Sequence, residues 1–163
     1  MQEIRRLNNA KTFKIHIFAG TECDILADGS LDYPNEILKQ LDFVIASVHS
    51  SLRQDEKKMT DRIIKALENP YTTMLGHATS RLLLERDAAS LDLDRVIDAA
   101  IRNHKIIEIN GQPKRMDLDW RYWKKASEKG LLTCINCDAH ADVQLDYIEL
   151  GVNIARKGWL TKK

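Results

Sequence analysis

The sequence predicts an α/β protein built on a parallel β-sheet. Short, β-branched apolar runs alternate about five times with longer stretches of helical period along the 163 residues, and this order is typical of parallel strands joined by crossover helices. Glycine or proline ends several of the helical stretches. Because 44% of the residues are hydrophobic, the chain can bury the core of one ordinary domain, and we expect residues 1–163 to form that single domain.

Five apolar runs are the candidates for strands, and each is short enough to be a buried strand. They cover residues 13–17 leading into Gly20-Thr21-Glu22, 43–48 ending at His49, 73–75 ending at Gly76-His77, 106–109 ending at Asn110, and 131–135 ending near Asp138.

Helices are predicted between these runs. In residues 91–105 the apolar side chains recur with the spacing of a helix that has one buried face, and Ser90 or Asp92 is a candidate N-cap. A helix over 59–68 should end before Pro70, because proline restricts the residue that precedes it. A third helix over 118–129 should end at Gly130. A last helix is expected over 142–157, with Leu145, Ile148 and Val152 facing inward.

Charge and cysteine content restrict the classes of function. The 25 basic and 24 acidic side chains nearly cancel, so the chain has no strong overall field to attract a polyanion or an anionic membrane. No apolar run approaches the roughly 20 residues that span a bilayer, and the first residues lack the pattern of a signal peptide. Three cysteines in such a chain favour reduced thiols. We therefore expect a cytoplasmic protein without membrane contact.

Acidic, imidazole and amide side chains recur at the ends of the predicted strands. Side chains at the carboxyl ends of parallel strands open onto one face of the sheet and build a common site there. Two imidazoles and a carboxylate are the protein ligands of a catalytic zinc site with an open position, and manganese or iron also accepts them. A single histidine after a strand is more often structural, but the joint pattern favours a divalent metal. The residues are Glu22, His49, His77, Asn110 and Asp138, with His140 two positions later.

Several short sequence segments resemble parts of the PHP (polymerase and histidinol phosphatase) domain that is attached to bacterial family X DNA polymerases. The resemblance extends over nearly the whole chain and ends with Gly151-Val152 and Gly158-Trp159-Leu160. It is carried by Gly20-Thr21-Glu22-Cys23-Asp24-Ile25-Leu26, Asp28-Gly29-Ser30-Leu31-Asp32-Tyr33-Pro34, Ile45-Ala46-Ser47-Val48-His49, Asn69-Pro70-Tyr71, Gly76-His77, Glu108-Ile109-Asn110 and Asp138-Ala139-His140.

This resemblance implies a fold, a cofactor and a chemistry. PHP domains are distorted (β/α)7 TIM-like barrels that hold up to three metal ions, usually zinc or manganese, and hydrolyse phosphoesters; the polymerase-linked members act in 3′-5′ exonuclease and related processing of DNA ends. On this basis Glu22 resembles the bridging carboxylate, and His49 and His77 its partners on one ion. Asp138 resembles a ligand of a second ion shared with Glu22, and His140 a ligand of a third.

The family's His-x-His motif on the first strand has no counterpart here. The resemblance therefore implies a partial barrel that lacks about the first two βα units. Because an open sheet exposes strand edges, we expect a homodimer or association with another chain. Two functions remain open: a metal-dependent phosphoesterase acting on phosphate esters or DNA 3′ ends with at least one bound ion, or a non-catalytic remnant that serves as a partner-binding or oligomerisation module.

Two further groups have alternative interpretations. Arg81 and Arg115 follow strand ends or loops, where they are candidates for bidentate contacts to a substrate phosphate or are solvated loop charges. Cys134-x-x-Cys137-x-x-His140 has the spacing of half a zinc cluster but lacks a second cysteine pair, which favours core thiols.

Overall fold

The computed structural model describes residues 1–11 and 13–162 and contains a five-stranded sheet. All neighbouring strands are parallel, and their spatial order is the same as their order in the chain. The predicted parallel α/β architecture is therefore confirmed. The strands are β1 (Gly20–Asp24), β2 (Phe43–Ser47), β3 (Met74–Leu75), β4 (Ile106–Asn110) and β5 (Leu132–Asn136).

Helices alternate with the strands. Asp55, Asp92 and Asp119 cap the helices that follow them, because each side chain accepts a backbone N–H of the first turn. The helices are α1 (Gln2–Asn9), α2 (Asn35–Leu38), α3 (Glu56–Glu68), α4 (Leu93–Arg102), α5 (Trp120–Glu128) and α6 (Ile148–Lys157), and a 3₁₀ helix (Asp142–Tyr147) precedes α6.

The two faces of the sheet have different surroundings. On the outer face, residues such as Ala46, Leu75 and Ile107 are fully buried in the main apolar core with residues of α3 and α4. Paired residues of parallel strands point to the same side, so Glu22, Ile45 and Met74 share the opposite, inner face. That inner face lines a cavity of about 350 Å³.

The predicted first strand was placed too early. Phe13 and Ile15 are 53% and 72% exposed, and pairing with β2 begins only at Gly20. A Cβ atom at Gly20 would lie 2.4 Å from the ring of Phe43, its partner residue. Glycine therefore permits the ring to lie over the strand here, whereas the apolar residues upstream have no neighbouring strand in the described chain.

The predicted last helix is divided. Residues 142–147 form the 3₁₀ helix, and Leu145 is 59% exposed, contrary to the expected inward orientation. The α-helix begins at Ile148, which is also 38% exposed. Close approach to the sheet occurs at Gly151, where a Cβ would lie 2.3 Å from Ile135 Cγ2.

None of the helices within residues 1–11 and 13–162 combines the length and apolar character that crossing a bilayer requires.

Candidate metal centre

Three of the predicted ligands converge at the carboxyl edge of β1, β2 and β3. Glu22 projects from the inner face of β1, and its Oε1 atom lies 3.1 Å from Nε2 of His77 and 3.5 Å from Nε2 of His49. One donor atom from each of the three residues lies within 4.8 Å of the others. Parallel pairing in register places these three strand ends side by side, so residues far apart in the chain meet.

His49 is oriented by a second carboxylate that sequence reasoning did not single out. Its Nδ1 atom lies 2.5 Å from Oδ1 of Asp24. When Nδ1–H donates to Asp24, the Nε2 lone pair faces Glu22 and is free for a metal, an arrangement that is usual for metal-binding histidines. The signal for Asp24 was its position two residues after Glu22, on the same face of the strand.

His77 is held rigidly. The residue is 2% exposed, and its backbone has a positive φ of 22°. Its backbone N–H donates to Oε2 of Glu108 at 2.7 Å. The preceding Gly76 has no room for a side chain, because a Cβ would lie 2.4 Å from Oγ of Ser47. These contacts fix the backbone of His77, and its ring centroid lies 5.1 Å from that of His49.

The charges of the centre are mutually dependent. His49 first, and then His77, lower the pKa of Glu22 far below its ordinary value. In turn Glu22, followed by Asp24, raises the pKa of His49 to about 9. Without a metal, a protonated His49 therefore supplies the positive charge between two carboxylates at neutral pH. A metal that binds His49 must displace this proton.

Asp138 lines the same cavity as Glu22 and His77 but lies outside the three-donor group. Its Oδ2 atom accepts a hydrogen bond from Nδ2 of Asn110 at 3.1 Å and forms an ion pair with Nε of Arg115 at 3.2 Å. The predicted strand-end residue Asn110 thus supports Asp138 from the adjacent strand. His140 does not join the group, since its side chain is 76% exposed and its Nδ1 atom lies 2.9 Å from the backbone oxygen of Asp138.

The two arginines occupy different positions. Arg81 donates to the backbone oxygens of Arg115, at 2.8 Å, and of Met116, and it lies 3.6 Å from Asp119. Its guanidinium therefore supports the loop that carries Arg115. Arg115 places its charge beside Asp138, and its Nη1 atom is buried without a hydrogen-bond partner in the described part of the chain.

Glu108 is the functional candidate that sequence reasoning did not assign. It lies on the inner face of β4, is 4% exposed, and lines the cavity with Cys134 and Asn136. The signal was a single acid inside the apolar strand run Ile-Ile-Glu-Ile-Asn, because an acid at such a position is seldom buried without partners.

The donor set fits a divalent cation. One carboxylate and two imidazoles satisfy three positions of a tetrahedral ion and leave one position open, which is the composition of a catalytic zinc site. The same ligands suit manganese or iron. In residues 1–11 and 13–162, Glu22, His49 and His77 form the group of side chains that could hold a metal ion. The cysteine motif forms no comparable group in these residues.

Known proteins of similar sequence include one named as an exonuclease and one named as a probable phosphatase. No protein-family model matches the chain. The chain is 40% identical over 155 residues to the DNA polymerase/3′-5′ exonuclease PolX of Bacillus subtilis, covering 95% of this chain and 27% of that protein. It is 30% identical over 158 residues to a protein of Thermoanaerobacter named as a probable phosphatase, covering 91% of this chain and 62% of the relative. The chain therefore spans less than two thirds of the length of either relative.

A solved structure has a similar fold. It is the histidinol phosphate phosphatase of Lactococcus lactis, complexed with zinc, L-histidinol and phosphate. The two structures superpose with a TM-score of 0.63 over 98% of this chain and 73% of that one, at 16% sequence identity. Together the named relatives and this structural neighbour support a PHP-like domain.

Proposed function

We propose that this chain is a metal-dependent phosphoesterase domain of the PHP type. The observation that carries the proposal is the convergence of Glu22, His49 and His77, whose donor atoms lie within 4.8 Å of one another. We further propose that residues 1–163 form one domain with the architecture of a partial, distorted (β/α)7 barrel. The names of the relatives and the phosphatase fold of the neighbour support this assignment.

Each residue of the centre has a defined task in this proposal. Glu22, His49 and His77 hold a zinc or manganese ion, and Asp24 keeps His49 in the tautomer whose Nε2 faces that ion. A divalent ion held there would supply Lewis-acid polarisation of a phosphoryl oxygen and would lower the pKa of coordinated water.

On the opposite side of the cavity, Asp138 lines the wall and Arg115 lies beside it, with Nε 3.2 Å from Asp138 Oδ2. The Nη1 atom of Arg115 is buried and has no hydrogen-bond partner among the described residues; in the proposal the Arg115 guanidinium turns to donate to phosphoryl oxygens and so orients phosphorus towards the incoming water. In the hydrolysis the P–O ester bond breaks, a new P–O bond to water oxygen forms, and the departing alcohol keeps one proton of that water. Arg81 contributes by holding the Arg115 loop, and His140 lies at the solvent side of Asp138.

The proposed substrate is a phosphate ester, with DNA 3′ ends as a more specific class. The relative from Bacillus subtilis is named as a 3′-5′ exonuclease, and the relative from Thermoanaerobacter as a phosphatase. The formal net charge of +1 provides no general attraction for DNA, so binding of a DNA end would depend on local groups such as Arg115, which pairs with the cavity residue Asp138.

A non-catalytic domain is the second candidate. It is favoured by the position of His140, which is exposed and outside the three-donor group. In that case the chain would act through association, as a homodimer or with another chain. The open edges β1 and β5 and the 58% exposed Leu132 on β5 favour such pairing, and a monodisperse monomer in light scattering would argue against it.

One experiment separates the two candidates. Metal content of the desalted protein is measured together with manganese-dependent hydrolysis of an aryl phosphate and of a 3′-ended oligonucleotide. We expect about one ion per chain and turnover that are both lost in His49→Ala, because His49 is one of three protein ligands. His104→Ala is the matched control, since His104 lies outside the centre. Turnover that survives in His49→Ala contradicts the phosphoesterase, and absence of both ion and turnover in the native chain favours the non-catalytic domain.

A further inference from the structure

Glu108 lies between the two sides of the candidate centre. It is 4% exposed in the middle of β4. On one side it contacts the backbone of His77, and on the other it contacts Asn110, which holds Asp138. We propose that Glu108 is a positioning residue that fixes His77 and Asp138 relative to each other. This role rests on the metal site proposed above.

The first contact fixes the backbone of His77. Oε2 of Glu108 accepts the His77 N–H at 2.7 Å, at a residue whose φ is +22°. A residue other than glycine adopts such a conformation only where its surroundings determine it. The Glu108 carboxylate supplies that constraint, and the preceding Gly76 leaves room for Ser47, whose Oγ would lie 2.4 Å from a Cβ at position 76.

The second contact passes through the side-chain amide of Asn110. Its Nδ2 atom lies 3.0 Å from Oε2 of Glu108 and 3.1 Å from Oδ2 of Asp138. Because an amide nitrogen carries two hydrogens, one can be donated to each carboxylate. The neutral amide of Asn110 thereby holds the carboxylates of Glu108 and Asp138 at a fixed distance from each other. Asp138, like His77, has a positive φ, here 51°.

The remaining oxygen of Glu108 is also occupied. Oε1 accepts from Nδ2 of Asn136 at 2.8 Å, so backbone and amide donors surround the carboxylate. Within the described residues Glu108 forms no ion pair of 4 Å or less. Burial of a carboxylate is energetically unfavourable, and an apolar residue such as the adjacent Ile107 or Ile109 would avoid that cost. Stability alone is therefore a poor explanation for an acid at this position.

The test compares two substitutions of Glu108 by titration calorimetry of the full chain with Mn²⁺ and with Zn²⁺. Glu108→Met removes every acceptor and should weaken metal binding about 10–100-fold, the range for loss of groups that support metal ligands. Glu108→Gln keeps an oxygen for the His77 and Asn110 donors, and Asn136 can rotate to accept from the new amide. We expect its affinity to remain within about threefold of native.

Urea unfolding without metal separates positioning from stability. Ile106→Met is the matched control, because Ile106 lies on the same strand and the same face; it should bind metal as the native chain does. Native affinity in Glu108→Met overturns the role of Glu108 while the metal site stands, and so does an equal loss in Glu108→Gln. A native chain that binds neither ion overturns the proposed function itself. If Glu108→Met does not fold, native-like binding by Glu108→Gln supports the role, and weak binding refutes it.

Discussion

Replacement of Asp24 tests whether a carboxylate outside the three-donor group determines metal affinity. Nδ1 of His49 lies 2.5 Å from Oδ1 of Asp24. Asp24→Ala removes this acceptor, so the His49 ring can rotate and change tautomer. The backbone of the strand should remain in place, because the Asp24 N–H is held by Asp32 Oδ1 at 3.0 Å and the Asp24 carbonyl by the Asp32 N–H, also at 3.0 Å.

The expected magnitude follows from similar supporting groups. Loss of a hydrogen-bond partner behind a metal-binding histidine lowers affinity about 10–100-fold, which corresponds to about 1.4–2.7 kcal/mol of binding free energy. Asp24→Asn should lose less, because its amide oxygen still accepts from Nδ1–H, although a neutral acceptor forms the weaker hydrogen bond.

Calorimetric titration with Zn²⁺ measures these affinities, and Asp98→Asn is the control. Asp98 lies on α4 and pairs with Lys129 at 2.6 Å on an exposed surface, where loss of an ion pair has little effect on stability and should leave metal affinity unchanged. Native affinity in Asp24→Ala would refute the role of Asp24, and equal losses in both Asp24 variants would show that its charge, not its geometry, matters.

Three further predictions concern stability, measured by urea unfolding. Arg62→Met removes donors from three backbone carbonyls and should cost about 3 kcal/mol; a loss below about 1 kcal/mol would contradict this. Gly76→Ala should cost about 1–3 kcal/mol through overlap with Ser47, and adding Ser47→Ala should recover part of the loss. Burial raises the pKa of Asp117, so its contribution is full below the unfolded-state pKa of about 3.9 and declines as pH rises. The stability of the native chain relative to Asp117→Asn should therefore fall as pH rises above the unfolded-state pKa, and a constant difference would contradict the raised pKa.

Much of the fold followed from local pattern. The strands β2 to β5 lie within the predicted apolar runs or one residue beyond them, and the predicted cap Asp92 is observed. These elements combine β-branched runs with nearby stop signals, so local sequence is sufficient to place them. Residues 13–17 have the same composition but no neighbouring strand in the described chain, and strand formation depends on such pairing.

The sequence predicts those site residues that follow the ends of strands. His49 and His77 were predicted from this position, and the parallel register brings them to Glu22. Asp24 and Glu108 were not assigned, because an acidic residue in one sequence does not reveal whether it is solvated or bonded. The partners of Glu108 at His77 and Asn136 lie 31 and 28 residues away, and only the folded sheet places them in contact.

The arrangement of strands divides the centre into two parts with different dependence on the fold. Glu22, His49 and His77 come from three adjacent strands, and the parallel register brings them together. Asp138 follows β5 and is connected to them through Asn110 and Glu108. A single ion held by the first three residues therefore requires β1 to β3 to be in place and, in our proposal, the Glu108 contact that fixes the backbone of His77. Alignment of Asp138 and Arg115 with that ion requires the buried carboxylate of β4, so disruption of this carboxylate should impair catalysis beyond any effect on ion binding.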